Sequence, residues 1–469
     1  MITITSFSVH DVRFPTSLTS AGSDAMNPDG DYSAAYIILK TDCDLEGHGM
    51  TFTIGMGYEL RMPISGDGNQ VVVEAIRALA PRLVDRTLDE LTANMGNTWR
   101  YLSLGQIRWI GPEKGVIHLA LAAVINALWD LWAKSVQKPV WKLVSEFTPE
   151  EFIRCIDFRY ITDAITQEES IKILNEMEAG KEDRIKDAEK NCAVPAYTTS
   201  AGWLGYDEKK VENLLQKALE EGYTYFKLKV GEDINKDKKR LSLAREVIGY
   251  DKGNTLMVDA NQVWDVQQAV DYMKELADFK PWFIEEPTSP DDILGHATIR
   301  KELEPLNIAV ATGEHCHSRV MFKQLFQAES IDIAQIDSCR LGGVNEVLAV
   351  LLMAKKFAVP IVPHSGGIGL PEYTSHLAII DYVCLSGKKS VLEYVDHLHE
   401  HFLFPAKVQN GYYKTPKVGG YSVQMKPDSL KHYEIRGIYW QSEEGRNVCE
   451  KRDRTVRNYL KSSIYSSHG

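Results

Sequence analysis

Apolar and polar positions in the first third of the chain alternate with the period of a strand and then change to the period of a helix. Residues 2–14 (ITITSFSVHDVRF) and 32–39 (YSAAYIIL) read as β-strands, separated by a Ser-, Gly-, Asp- and Asn-rich loop over 16–31. Residues 46–57 continue the sheet through Gly-rich turns, and the pattern becomes helical from Gln70 onward. The clearest helix is predicted over 113–134, where Leu121, Val124, Ile125, Leu128 and Trp132 recur at helical spacing. Strands followed by helices, without alternation, predict a separate α+β domain over residues 1–150.

From Pro195 the pattern changes. Short apolar runs now alternate with amphipathic helical stretches, at 196–200, 223–230, 255–259, 282–285, 308–312, 331–336, 360–363 and 391–394. Helical patterns fall between them, for example at 212–221, 266–276 and 344–357. Such alternation implies parallel strands joined by crossover helices. Eight units predict a (β/α)8 barrel over residues 151–404 in an α/β protein, and no Gly-x-Gly-x-x-Gly follows the first strand to suggest a dinucleotide fold. The charged stretch 172–190 predicts a solvated helix or an insertion. After Phe404 the alternation fades; the segment 405–469 is expected to pack near the first domain, with a polar, irregular tail from Tyr433.

Composition changes this picture little. The 469 residues are 44% hydrophobic and 25% charged, as in ordinary globular proteins. A net charge of -12 argues against nucleic acid as a partner. The seven cysteines are scattered without a Cys-x-x-Cys, which points to a reducing compartment. No secretory leader and no uninterrupted apolar run long enough for a membrane span is evident, so a cytoplasmic location is expected. An acidic protein that binds an anion needs local cations or a metal.

The candidate chemistry lies at the strand ends. In YTYFKLKV (223–230), Lys227 and Lys229 sit two apart, so a strand points both to one side. Alone, that is as compatible with a solvated edge strand as with a site. Downstream, Lys229, Asp259, Glu285, Glu314, Asp337, His364 and Glu393 end successive runs, at gaps of 30, 26, 29, 23, 27 and 29 residues. In a closed barrel such positions converge on one mouth. Asp259, Glu285 and Glu314 would repel one another in a bare cleft. A hard divalent cation removes that conflict, and oxygen donors without a thiolate favour Mg2+ over zinc. Spacing alone leaves Glu285 or Glu286 as the ligand, and the nearby Cys316–His317 pair is a weak zinc signal. Asn261 is placed to support the metal or contact substrate. An Asp337–His364 pair would fix the imidazole tautomer. Lys227 and the metal are expected to lower the pKa of Lys229. Such a mouth suits removal of a proton next to a carboxylate, with the metal holding the resulting enediolate.

The set Lys-x-Lys, Asp-x-Asn, Glu-Glu-Pro, Gly-Glu, Ile-Asp and Pro-His resembles the mandelate-racemase branch of the enolase superfamily. GSDAMNPDGDYSAAY, QIRWIGPEKGVIHLA, CIDFRYITDAIT, EEPTSPDDILGH, LGGVNEVLAVLLMAKKF and LEYVDHLHEHF are similar to the L-fuconate dehydratase group of sugar-acid dehydratases. PAYTTSAGWLGY and PHSGGIGLPEYTSHL resemble its fungal L-galactonate members most closely. The resemblance implies a modified (β/α)8 barrel with an N-terminal α+β capping domain. It implies a lyase that dehydrates L-galactonate to 2-dehydro-3-deoxy-L-galactonate in D-galacturonate catabolism, with L-fuconate as the alternative substrate. It places Mg2+ on Asp259, Glu285 and Glu314, Lys229 as the base at C2, and His364 with Asp337 at the departing 3-hydroxyl. Lys227 would bind the substrate carboxylate and Glu393 would contact substrate. Gly22, Ser23, Asp24 and Tyr32 of the capping domain would close over the sugar chain. A homo-oligomer is expected. A racemase with the same two bases and a non-catalytic scaffold are the competing readings; the scaffold is disfavoured because every position is filled. Two stretches depart from the family: the connection 58–69 is long, and the tail 433–469 is unlike the usual ending.

Overall fold

A computed structural model of the chain describes residues 1–27, 30–55, 68–105, 107–111, 113–190, 193–250 and 253–448. The long connection noted at 58–69 lies outside these residues up to position 67, as does the tail from 449.

The N-terminal strands form an antiparallel sheet in the order β1 (Ile4–Phe14), β2 (Asp31–Thr41), β3 (Glu46–Gly55). Against it pack α1 (Gly68–Leu79) and α3 (Gly115–Ser135), with α2 (Met95–Ser103) between them in sequence. The expected amphipathic stripe on α3 is wider than periodicity suggested. Sixteen of its 21 residues are buried, and Trp129 is fully enclosed whereas Trp132 is partly exposed. The reason is close packing of the helix on the sheet: a Cβ on Gly49 of β3 would stand 2.1 Å from the Ala123 carbonyl of α3. α3 is long and apolar enough to cross a membrane, yet 83% of its most apolar window is buried inside the protein. It is a core helix.

The charged stretch predicted as one helix is two, α4 (Gln167–Glu178) and α5 (Lys181–Lys190), interrupted at Gly180. Then the alternation begins. Strands β4 (Ala196–Thr198), β5 (Tyr225–Lys229), β6 (Thr255–Asp259), β7 (Phe283–Glu285), β8 (Ala309–Thr312), β9 (Ile333–Ala334) and β10 (Leu392–Tyr394) form one curled parallel sheet. Its order is β10-β4-β5-β6-β7-β8-β9, so the first and last strands are neighbours. A parallel bridge from Ala334 to Ile361 adds the eighth stave. The crossover helices are α6 (Glu208–Glu220), α7 (Ile234–Ile248), α8 (Val266–Leu276), α9 (Ile293–Leu303), α10 (Arg319–Gln327), α11 (Val344–Lys356) and α12 (Leu370–Ile380). Tyr197, Met257, Phe283, Ala311, Ile333, Val362 and Val391, from seven of the eight staves, form an apolar cluster of their own. Such a layer is the filled interior of a barrel. The fold is the modified barrel with an α+β cap that the sequence led us to expect.

Cap and barrel meet where the barrel needs rigidity. Trp99 Nε1 of α2 donates to the Gly342 carbonyl at 2.8 Å, and Asn126 Nδ2 of α3 donates to Ser338 O at 3.1 Å. Both fix the loop that follows β9. Beyond β10, the Ala193 and Ala196 amides donate to the carbonyls of Tyr413 and Gly411, at the start of β4. Farther on, Ile435 N donates to Asp11 O at 2.9 Å and Trp440 Nε1 to Arg13 O at 3.2 Å, joining the C-terminal segment to β1.

Candidate active site

Parallel register brings the strand-end residues level. Lys229 pairs with Asp259, and Asp259 with Glu285, across β5, β6 and β7. Oxygens of Asp259, Glu285 and Glu314 all lie within 4.8 Å of one another, with each residue buried. Glu285 and Glu286 point apart: Glu285 faces Asp259 and Glu314, whereas Glu286, with a left-handed φ of 44°, meets His315 and forms a second acidic group with it and Glu314. The weak zinc signal does not assemble among the described residues: Cys316 is buried outside this group, and His317 Nε2 meets Asp291 at 3.1 Å. Three hard carboxylate donors without thiolate fit a divalent cation such as Mg2+. Asn261 Oδ1, two residues beyond Asp259, is a buried oxygen without a hydrogen-bond partner among the described residues, and supports the same fit.

The two lysines differ sharply in setting. Lys227 is fully covered; its ammonium donates to both Glu285 oxygens at 2.7 Å and stands 3.1 Å from Glu393 and 3.5 Å from Asp259. The expected contact between Lys227 and a substrate carboxylate is not what this geometry offers, because three carboxylates already enclose the ammonium. Lys229 reaches the cavity and its Nζ lies 2.5 Å from Asp259 Oδ2. Burial and, as expected, Lys227 push its pKa down, while the carboxylates Asp259, Glu314 and Asp24 outweigh them and hold the ammonium above its usual range.

Across the mouth, His364 Nδ1 lies 2.8 Å from Asp337 Oδ2, while Asp337 Oδ1 accepts the amides of Cys339 and Arg340 at 2.7 Å each. Asp337 is thereby aimed, and in turn fixes a proton on Nδ1. His364 Nε2 stands 3.4 Å from Glu314 Oε2 and 3.8 Å from Glu393 Oε2. Burial disfavours the imidazolium, yet Glu314, Asp337 and Glu393 together raise the His364 pKa to about 10. Glu393 is held down at about 2: burial opposes its charge, but Lys227, His364 and hydrogen bonds from the Thr199 hydroxyl and Ser365 amide favour it.

These groups border a cavity of about 440 Å3. Gly22, Asp24, Tyr32, Lys229, Asn261, Glu314, His364 and Glu393 line it, while Lys227, Asp259, Glu285 and Asp337 lie beneath. Ser23, expected among the contacts, instead stitches the cap loop to the barrel, its hydroxyl donating to Ser20 O and accepting the Gly205 amide. Gly22 has φ +79°, and a Cβ there would fall 2.5 Å from the Tyr32 ring. The loop can therefore rest on Tyr32 as glycine alone permits. Thr199, Trp203, Gln262, His315 and Arg340 also line the cavity and were missed from the sequence. Their one signal was adjacency to strand ends already singled out.

A model for the mandelate racemase / muconate lactonizing enzyme N-terminal domain matches residues 21–145, and an enolase C-terminal domain-like model matches 210–429. The chain is 63% identical over 443 residues to L-galactonate dehydratase of Hypocrea jecorina, covering 94% of this chain and 96% of that protein. The crystal structure of human mitochondrial enolase superfamily member 1 superposes with a TM-score of 0.89 at 51% identity, covering 96% of this chain and 98% of that one. L-Talarate dehydratase from Polaromonas sp. JS666, crystallised with Mg and L-glucarate, shares the fold with a TM-score of 0.68 at 20% identity, covering 92% and 98%.

Proposed function

The chain belongs to the mandelate-racemase branch of the enolase superfamily, and from that premise we propose that it dehydrates L-galactonate to 2-dehydro-3-deoxy-L-galactonate. It is an enzyme of the dehydratase class, a lyase acting on sugar acids. The substrate reading is carried by the 63% identity to L-galactonate dehydratase, and the proton chemistry is supported by Lys229 and the Asp337–His364 dyad at one cavity, above three converging carboxylates.

In this reading Asp259, Glu285 and Glu314 hold Mg2+, which when bound offsets both their charge and that gathering on the substrate carboxylate. Lys229 takes the proton from C2. With the charges of Asp259 and Glu314 offset, Lys227 is the largest remaining charge effect on Lys229, and it acts downward on its pKa. Lys227 itself works from beneath, holding Glu285 and Glu393 in place without touching substrate. His364, its Nδ1–H engaged by Asp337, gives the Nε2 proton to the departing 3-hydroxyl, which leaves as water. Gly22, Asp24 and Tyr32 close over the far end of the sugar chain, and Asn261 and Glu393 contact it from the barrel. Tyr32 stays a neutral hydrogen-bonding group, since burial raises its phenol well above the usual range.

Incubation of purified protein with L-galactonate and Mg2+, followed by assay of 2-keto acid, tests the proposal. No product at any pH from about 6 to 9 rejects it. Comparing kcat/KM for L-galactonate and L-fuconate then reports whether a terminal hydroxyl is read.

A further inference from the structure

Resting on that sugar-acid reading, we infer that His315 is a specificity-determining residue whose free ring nitrogen receives a hydroxyl of the substrate's carbon chain. His315 follows Glu314, and its side chain, 36% exposed, lines the cavity beside Asn261, Gln262 and Arg340. Its Nδ1 lies 2.7 Å from Glu286 Oε1 and 3.3 Å from Glu314 Oε1. Glu286 is fully buried, and no Lys or Arg is paired with it among the described residues. Gln262 Nε2 donates to both of its oxygens at 2.9 Å, and His315 supplies the remaining polar contact.

Nδ1 is engaged within the protein, 2.7 Å from Glu286 Oε1 and 2.7 Å from Gln262 Nε2. Nε2 makes no hydrogen bond within the described protein and is left for a ligand. A hydroxyl suits it in either protonation state, because O–H can donate to a bare nitrogen or accept from N–H. The backbone is bent to achieve this. Gln262 and Glu286 both hold left-handed φ values, +67° and +44°, and are tied by a Gln262 N to Glu286 O hydrogen bond of 2.8 Å. Non-glycine residues adopt that conformation at a cost, which persists where surrounding structure requires it. Glu286 lies outside the Asp259–Glu285–Glu314 group and meets Gln262 and His315 instead.

The test compares the full-length wild type with His315→Leu, His315→Gln and Glu286→Gln. His315→Leu is expected to raise KM for L-galactonate about ten- to hundredfold with a smaller change in kcat, the signature of lost binding. His315→Gln should recover most of that loss, because its amide reaches the position of Nε2. Glu286→Gln should fall between wild type and His315→Leu, since its side-chain amide keeps a polar contact at Nδ1. Calorimetric titration with Mg2+ alone should give one affinity and one stoichiometry for all four proteins. Wild-type KM and kcat in His315→Leu overturn the inference, and so does loss of a Mg2+ equivalent, which would make Glu286, Glu314 and His315 a cation site. A wild type inactive on every sugar acid tested overturns the reading beneath it and this inference together. An active wild type indifferent to His315→Leu overturns the inference alone.

Discussion

Replacing Asp337 by Asn removes one charge and almost no volume from the pair that orients His364. Asp337 Oδ1 accepts two backbone amides at 2.7 Å, and an Asn would keep its oxygen there, turning its NH2 toward His364 Nδ1. The imidazole must then accept at Nδ1 and lose its negative partner. Against burial, Glu314, Asp337 and Glu393 raise this ring from 6.5 to about 10. That corresponds to about 5 kcal/mol in favour of the charged form. A charge-assisted hydrogen bond supplies about 1.5–3 kcal/mol of such a preference, so the substitution should lower the pKa by about one to two units. The sign follows from the role. A ring with a raised pKa is protonated, and able to act as an acid, below that value, and loses this ability as pH rises through it. Asp337→Asn should therefore move the alkaline limb of the kcat profile downward by about one to two units and reduce its plateau about 10²- to 10⁴-fold. The assay is 2-keto acid formation at saturating substrate from about pH 6 to pH 11. An unchanged limb and plateau, or a limb moved to higher pH, would refute the reasoning.

Lys229→Ala should cut turnover by at least about 10³-fold while circular dichroism and Mg2+ titration stay near wild type; residual activity within tenfold would remove Lys229 as the base. Glu285→Gln should raise the Mg2+ concentration for half-maximal activity at least about tenfold, and an unaltered metal response would exclude it as a ligand. Lys227→Met leaves Glu285 and Glu393 buried without their shared cation. It should cost about 3–5 kcal/mol of stability, read as a lower urea midpoint; an unchanged midpoint would show the ammonium is dispensable. Gly22→Ala forces a Cβ against Tyr32 at a positive φ. Its stability cost should be about 1–2 kcal/mol, but kcat/KM should fall about tenfold or more if the loop closes on substrate.

Much of the barrel and its chemistry was already legible along the chain, for a definite reason. Residues one βα unit apart at the ends of parallel strands must share a mouth, so the spacing from Lys229 to Glu393 carried the convergence of seven ionisable groups. Period two likewise placed Lys227 and Lys229 on one side of β5. Periodicity is silent on depth and on partners far away in sequence. It could not tell that Lys227 is enclosed by Glu285 and Glu393 while Lys229 reaches the cavity. Nor could it foresee that Asp259, 30 residues on, would outweigh Lys227 in its pull on the Lys229 pKa. That Glu285 and Glu286 point to different partners goes with one left-handed backbone angle, which no pattern of residue types encodes. His315 and Gln262 acquired their places from that same turn. The sequence by itself determined which strand ends bear charge and that they meet. Only the tertiary structure decided which are buried as supports and which face the substrate, because distance and enclosure arise from elements packed together across the chain.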